Sequence, residues 1–248
     1  ERKKILFFST PDEEESADFL DRIGTKIFKI SSQDLTNLYL IKYMTRFKKP
    51  LILSTGASRY KEIKSAVNII KKKTNKFIIL HCLSSYPAPY KELNLNFIQE
   101  LTKRYTQPIG FSDHTIGYES ACAAVALGAR VFEKHLTFNK KQRGPDHSSS
   151  LSPIEMVEYV EKVTNAFNSL GNKQKKIMPS ELNTRKAFSR FLVSNSNLKK
   201  GQILSIDNVL QKKTINGIHA KYKEHFLNKK LLRPIKKNEN FKWSHIKK

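Results

Sequence analysis

The sequence is poor in the residues that would mark a disulfide scaffold, a membrane span or a dinucleotide fold. Of its 248 residues, two are Cys, three are Met and one is Trp. Cys82 and Cys122 lie 40 residues apart in apolar stretches and match no Cys-x-x-Cys or zinc-finger spacing, so buried free thiols are expected rather than a bridge or a cluster. No apolar run approaches the ~20 residues needed to span a bilayer. No charged-then-apolar signal segment opens the chain, and a reducing cytoplasm is the expected setting. No Gly-x-Gly-x-x-Gly turn follows an expected strand, which argues against a dinucleotide-binding sheet.

Acidic residues are also scarce. The 22 Asp and Glu stand against 46 Lys and Arg, for a net charge of +24. Such an excess would ordinarily suggest a polyanion partner. Here 36 of the basic residues are Lys, scattered over amphipathic segments and the tail. Readers of nucleic acid lean on Arg forks interleaved with exposed aromatics, and that pattern is missing. The composition therefore describes a solvated lysine surface, with no specific nucleic-acid partner and no membrane partner expected. Apolar residues make up 39% of the chain, enough for a sizeable core.

The first two thirds alternate short β-rich apolar runs with longer amphipathic ones, as parallel βα units do. Strands are expected at Lys4 to Phe8, Lys26 to Ile30, Leu51 to Leu53, Phe77 to Cys82, Ile109 to Phe111 and Val131 to Lys134. Helical spacing joins Leu35, Leu38, Ile41 and Met44, then Ile63, Ala66, Ile69 and Ile70. Every expected strand ends in small or polar residues, so polar chemistry gathers at one rim, where the active site of a (β/α)8 barrel sits. Eight units close such a barrel, and six are visible here. The expectation is an α/β chain: a (β/α)8 TIM barrel lacking its first two βα units, with an open doubly wound sheet as the alternative. The barrel part is placed at residues 1–172 and a lysine-rich connector at 173–186. A small β-rich domain follows at 187–248, with strands at Ser189 to Val193, Asn208 to Lys213 and Lys230 to Leu232.

Two histidines carry the strongest local signal. His114 and His135 follow successive expected strands at a separation of 21 residues, about one βα repeat, so both imidazoles should reach the same rim. Two neutral imidazoles with water suit a divalent ion that can act as a Lewis acid; hydrogen bonding at a strand end is the plainer alternative. Thr10, Lys29, Ser32, Ser84 and Ser112 also fall at strand ends, a mixture of one cation and short donors that suits a phosphate or carboxylate. Hydroxyls there can equally cap helices. Asp34 could serve as a base or open a helix, Asp113 could orient His114, and Glu133 could either support a metal ligand from behind or join an internal charge pair. The Gly144-Pro-Asp-His147 turn would hold its polar groups stiffly, as polyol binding requires.

Taken in order, Phe7-Phe-Ser-Thr-Pro11, Phe28-Lys-Ile-Ser-Ser32, Pro50-Leu-Ile-Leu-Ser-Thr-Gly56, Leu80-His-Cys-Leu-Ser-Ser-Tyr-Pro-Ala-Pro89, Gly110-Phe-Ser-Asp-His114, Phe132-Glu-Lys-His135 and Gly144-Pro-Asp-His147 resemble the successive motifs of the N-acetylneuraminate (sialic acid) synthase family. That family includes legionaminate and pseudaminate synthases. Arg190-Phe-Leu-Val193, Lys199-Lys-Gly201 and Asn216-Gly217 resemble its small antifreeze-like (SAF) domain. The resemblance implies condensation of phosphoenolpyruvate with N-acetylmannosamine or a related acetamido sugar, giving a nonulosonic acid and phosphate. It implies that Thr10, Lys29, Ser32, Ser84 and Ser112 hold phosphoenolpyruvate, and that His114 and His135 bind the metal. Tyr86 and Asp146 would help hold the sugar, Asp34 would be catalytic beside the two histidines, and Lys213 stands where the family carries a sugar-contacting arginine. The implied cofactor is a divalent metal, Mn²⁺ before Mg²⁺ or Co²⁺, and the implied assembly is a domain-swapped homodimer. A catalytically silent or polyanion-binding protein on the same scaffold is the competing reading, and an aldolase using pyruvate is a third.

Overall fold

Each apolar run in the first part of the chain is too short to bury itself alone, and the structure stacks these runs side by side. Residues 5–247 are described in a computed structural model of the chain. In order come α1 (Glu14–Arg22), β1 (Phe28–Ile30), α2 (Leu38–Met44), β2 (Leu51–Ser54), α3 (Tyr60–Lys71), β3 (Phe77–Cys82), α4 (Asn96–Arg104), β4 (Ile109–Asp113), α5 (Glu119–Ala126), β5 (Val131–Lys134) and α6 (Pro153–Ser169). The five strands form one parallel sheet in the order β1-β2-β3-β4-β5. A doubly wound sheet reverses its strand order at a switch point. This sheet does not, so the architecture is the barrel-like one, and the doubly wound alternative falls.

The helices form where their apolar faces meet the sheet. In α3, Ile63, Ala66, Val67 and Ile70 are buried at helical spacing, and the Glu62 carboxylate accepts from the Arg59 N–H at 2.6 Å to satisfy the first turn. Helix α6 opens on a reciprocal cap: the Ser152 hydroxyl accepts from Glu155 N–H, the Glu155 carboxylate accepts from Ser152 N–H, and Pro153 takes the first turn. The core gathers Phe28, Leu51, Leu53, Ile79 and Phe111 from the strands with Ile41, Ile63, Ile70, Ile98 and Leu101 from the helices. Gly110 lets β4 and β5 approach: a Cβ there would stand 2.3 Å from the Val131 carbonyl oxygen.

The expected strand at Lys4 to Phe8 does not form. Lys4 lies outside the described residues, and Ile5, Leu6 and Phe7 are exposed with no apolar layer against them. Pairing begins only at Ser9, in a single parallel bridge to Phe28. With no side to bury and no ladder to join, the run has nothing to offset the entropy of ordering.

The chain divides into two compact units, residues 1–172 and 173–248. In the second, a turn at Pro179–Glu181 leads into α7 (Leu182–Phe188), a helix where a connector was expected. All its side chains are exposed, so it carries no apolar stripe for the periodicity to reveal. Two antiparallel strands follow, β6 (Phe191–Ser194) and β7 (Val209–Lys212). Ser189 closes α7 through the Arg185 carbonyl rather than opening β6. Lys230 and Leu231 pair only in isolated bridges to Ile203 and Ile246, so the third expected strand is absent. Leu192, Leu204, Val209, Phe226 and Phe241 form the core of this unit. Trp243 packs on Tyr222 and Phe226, with ring centroids 5.4 and 5.3 Å away.

Candidate active site

A parallel sheet with helical crossovers delivers every strand's carboxyl end to the same rim, and the side chains there alternate inward and outward. The inward ones line a cleft of about 280 Å³. From β1 and the loop after it come Lys29, Ser31, Ser32 and Gln33; from β2, Ser54; from β3 and the loop after it, Cys82, Ser84 and Tyr86. Ser112 and His114 come from β4, with Glu133 and His135 from β5. Residues far apart in sequence thus meet around one hollow that is basic at one end and aromatic at the other.

The basic end is held by a short network. Lys29 Nζ lies 3.4 Å from Glu133 Oε2, and Ser112 Oγ donates to Glu133 Oε1 at 2.7 Å. The expected internal charge pair for Glu133 is therefore present, with Lys29 as its partner. Ser32 Oγ accepts from Gly56 N–H at 2.9 Å and donates to Cys82 Sγ at 3.6 Å. Side-chain space here exists because residue 56 is Gly: a Cβ would stand 2.1 Å from Ser84 Oγ.

The aromatic end is a cluster of three rings. Tyr86 lies 4.2 Å from His114 and 5.6 Å from His135, and the two imidazoles are 5.1 Å apart, nearly edge-on. His114 Nδ1 sits 2.8 Å from the Leu83 carbonyl oxygen, which can only accept, so Nδ1 carries the proton and Nε2 presents its lone pair. Cys82 Sγ, at 3.9 Å from the same nitrogen, is the weaker contact. The Asp113 carboxylate does not orient His114 as expected; it turns to the outer face of the sheet.

A family model matches residues 1–175, more than half of the chain. This chain belongs to the NeuB family. Among its relatives is the N,N'-diacetyllegionaminic acid synthase of Campylobacter jejuni, 40% identical over 238 residues, which are 95% of this chain and 71% of that protein. A pseudaminic acid synthase of the same species is 33% identical over 244 residues, 98% of this chain and 71% of that protein. Among solved structures, the N-acetylneuraminic acid synthetase of Leptospira borgpetersenii matches with a TM-score of 0.69 and 38% identity, over 75% of this chain and 67% of that one. The NeuB relatives thus carry names for several different acid products.

In this NeuB chain the titrating groups of the cleft are pulled by burial and by one another. Burial works against the charged form of His114, but its contacts with the Cys82 sulfur and the Leu83 carbonyl outweigh that and raise its pKa. Burial and then the neighbouring His114 lower that of His135. Burial pushes the Cys82 thiol up, yet His114 beside it, with Ser32 and Ser112, draws it below the ordinary thiol value. Among the described residues, no group of three or more His, Cys, Asp or Glu is placed to hold a metal ion. The donor chemistry fits an ion all the same. His114 is oriented through its Nδ1 proton as metal-binding imidazoles are, burial favours the neutral form of His135, and two imidazoles would leave room for water and substrate oxygens.

Of the expected site residues, Lys29, Ser32, Ser84, Ser112, Tyr86, His114 and His135 meet in the cleft. Thr10, Asp34, Asp146 and Lys213 do not line it. Asp34 accepts from Ser31 Oγ at 2.8 Å, the arrangement of a local turn. Asp146 sits at the rim, its carboxylate 3.5 Å from His135 Nδ1 and its carbonyl accepting from the Ser149 and Ser150 hydroxyls, so the Gly-Pro-Asp-His turn is pinned as expected. Lys213 belongs to the second unit, with its ammonium over the Phe188 ring. Ser31, Gln33, Ser54 and Cys82 also line the cleft and are not among the expected site residues. Ser54 is buried with its hydroxyl unpaired among the described atoms, and the motif around it held the signal, a hydroxyl ending an otherwise apolar strand. The sequence reads Cys82 as a core thiol, because nothing in its apolar surroundings tells which face of β3 it occupies. Both cysteines are free, Cys82 buried and Cys122 half-buried.

Proposed function

We propose that this protein is a nonulosonic acid synthase, condensing phosphoenolpyruvate with an open-chain acetamido sugar and releasing phosphate. N-acetylmannosamine and the legionaminate and pseudaminate precursors are the candidate sugars. One observation carries the reading: a cation, several hydroxyls and a pair of imidazoles, drawn from the ends of successive parallel strands, converge on one cleft. Lys29, Ser32, Ser84 and Ser112 supply the charge and donors that a phosphate and a carboxylate require. A phosphate brought to Lys29 competes with Glu133 for the ammonium, while Ser112 can turn its hydroxyl from Glu133 to the anion. Gly56 contributes a backbone N–H beside Ser32.

Tyr86 offers a ring face and a phenol to the sugar, with Asp146 at the rim for its hydroxyls. In this reading Thr10 would join the anion's donors and Asp34 would be the acid–base group, although neither lines the cleft. His114 and His135 would hold a divalent ion, Mn²⁺ before Mg²⁺ or Co²⁺; bound there, it supplies Lewis-acid polarisation of the sugar aldehyde. What the chain itself contributes is orientation and fixed charge around the reacting carbons. The reading also takes in a barrel completed to eight βα units, an SAF domain in the second unit, and a cytoplasmic domain-swapped homodimer that brings Lys213 to the partner's sugar.

The test is phosphate release by the protein expressed from its whole reading frame, with phosphoenolpyruvate, Mn²⁺ and each candidate sugar. Release that needs all three components and vanishes in His114→Ala is the expected result. Absence of release with every sugar would sink the synthase reading in favour of a silent scaffold.

A further inference from the structure

Three rungs of side chains cross from β4 to β5, and their facing alternates. Ser112 pairs with Glu133 in register and faces the cleft; Asp113 pairs with Lys134 and faces outward; His114 and His135 follow at once and face the cleft again. The middle rung is an ion pair with almost no solvent contact. Lys134 Nζ lies 3.1 Å from Asp113 Oδ2, with the two side chains 3% and 0% exposed. The remaining capacity of Asp113 is filled from three directions. Thr115 donates to Oδ1 through both N–H and hydroxyl, at 2.8 and 2.7 Å. Tyr159 of α6 donates to Oδ2 at 3.2 Å, and Ser120 of α5 reaches Oδ1 at 3.4 Å. Lys134 also donates to the Thr115 carbonyl and lies over the Tyr159 ring.

A buried ion pair adds little stability over apolar side chains of the same volume, because desolvation consumes the Coulomb gain. What it does resist is separation. Slipping β5 by one residue against β4 would turn every side chain to the other face and leave both charges buried alone, which is strongly unfavourable. The register that this rung enforces is the one in which the next residue of each strand is a histidine.

We infer that Asp113 and Lys134, tied to α5 and α6 through Ser120 and Tyr159, are positioning residues that set the spacing and orientation of the His114 and His135 imidazoles. The inference rests on the reading of those imidazoles as the metal pair, and it adds the device that keeps them together. It lies on the outer face of the sheet, and the reacting atoms never touch it.

The test compares the parent with Asp113→Asn/Lys134→Met, which removes both charges at nearly constant volume. Circular dichroism establishes that the variant is folded. Imidazole ¹H–¹⁵N spectra of the metal-free protein then follow His114 and His135, with His219 and His225 of the second unit as internal references. Mn²⁺ affinity is measured in parallel. Displaced or broadened His114 and His135 signals, unchanged references and Mn²⁺ binding weakened about tenfold or more are expected. A folded variant whose two imidazole signals and Mn²⁺ affinity match the parent overturns the inference. Should the double variant not fold, Tyr159→Phe removes one bond to Asp113 and keeps the ring. It should move the same two signals by less, and no movement overturns the inference again. A parent that binds no Mn²⁺ removes the metal reading alone, and the imidazole spectra then decide the positioning role by themselves.

Discussion

Gly56 shows how much of the cleft depends on a missing atom. A methyl at this position would stand 2.1 Å from Ser84 Oγ, 2.9 Å from Ser32 Oγ and 3.0 Å from Cys82 Sγ, all side-chain ends that can rotate. Gly56 is not among the glycines with positive φ, so alanine fits its backbone. Gly56→Ala should therefore leave the melting temperature close to the parent's. It should lower kcat/KM for phosphoenolpyruvate by about a hundredfold, because displaced donors no longer orient the anion. Steady-state kinetics beside a thermal melt check both halves. At this scale the sequence was informative wherever a polar side chain ended an apolar run, as with Lys29, Ser112, His114 and His135. It was silent on direction: Asp113 and His114 are neighbours, and only the alternation of the folded strand sends one outward and the other into the cleft.

Elements were legible in proportion to their burial. Strands β2 to β5 lie where alternating polar and apolar runs placed them, since each packs on helices whose own spacing agrees. The run at Lys4 to Phe8 reads as a strand by composition, but among the described residues it finds neither a ladder nor a layer; α7 was hidden because all its side chains are exposed. Helix α6 makes a prediction of its own. Lys140 donates to the Glu155 carboxylate at 2.6 Å, and Ser152 adds its backbone N–H. The hydrogen bond from Lys140, then those of Ser152, hold the Glu155 pKa down from 4.5 to about 2. A carboxyl depressed by folding stabilises fully above its unfolded pKa, and the benefit is lost as pH falls through its folded one. The melting difference between the parent and Glu155→Gln should thus be largest above about pH 4.5 and shrink to nothing toward pH 2. A pH series of paired melts checks this, and a difference independent of pH would refute it.

At the scale of the whole molecule the chain is two compact units, and the boundary falls at a lysine-rich stretch. Residues 171–188 are all exposed, and 173–178 carry no helix or strand. Limited trypsin digestion should cut first at Lys173, Lys175 or Lys176, because proteases need an exposed segment that can adapt to their cleft. The expected early products are two fragments that divide at this point and resist further digestion, read by mass spectrometry. First cuts inside α3 or α4 would contradict the division. The change of pattern after Leu170 made the boundary readable, whereas the architecture of the second unit was not, since most of its pairing is single bridges that leave no run of alternating residues.

The scarcity of tryptophan has an optical consequence. The one indole of the chain, Trp243, sits in the aromatic cluster of the second unit, packed on Tyr222 and Phe226. Emission excited at the red edge of the absorption band therefore reports on that unit alone, and the barrel-like unit is dark at that wavelength. Indole fluorescence follows the second unit alone, whereas far-ultraviolet dichroism follows the backbone of both. Without any label, the protein carries a probe that separates the loss of one unit from the loss of the other.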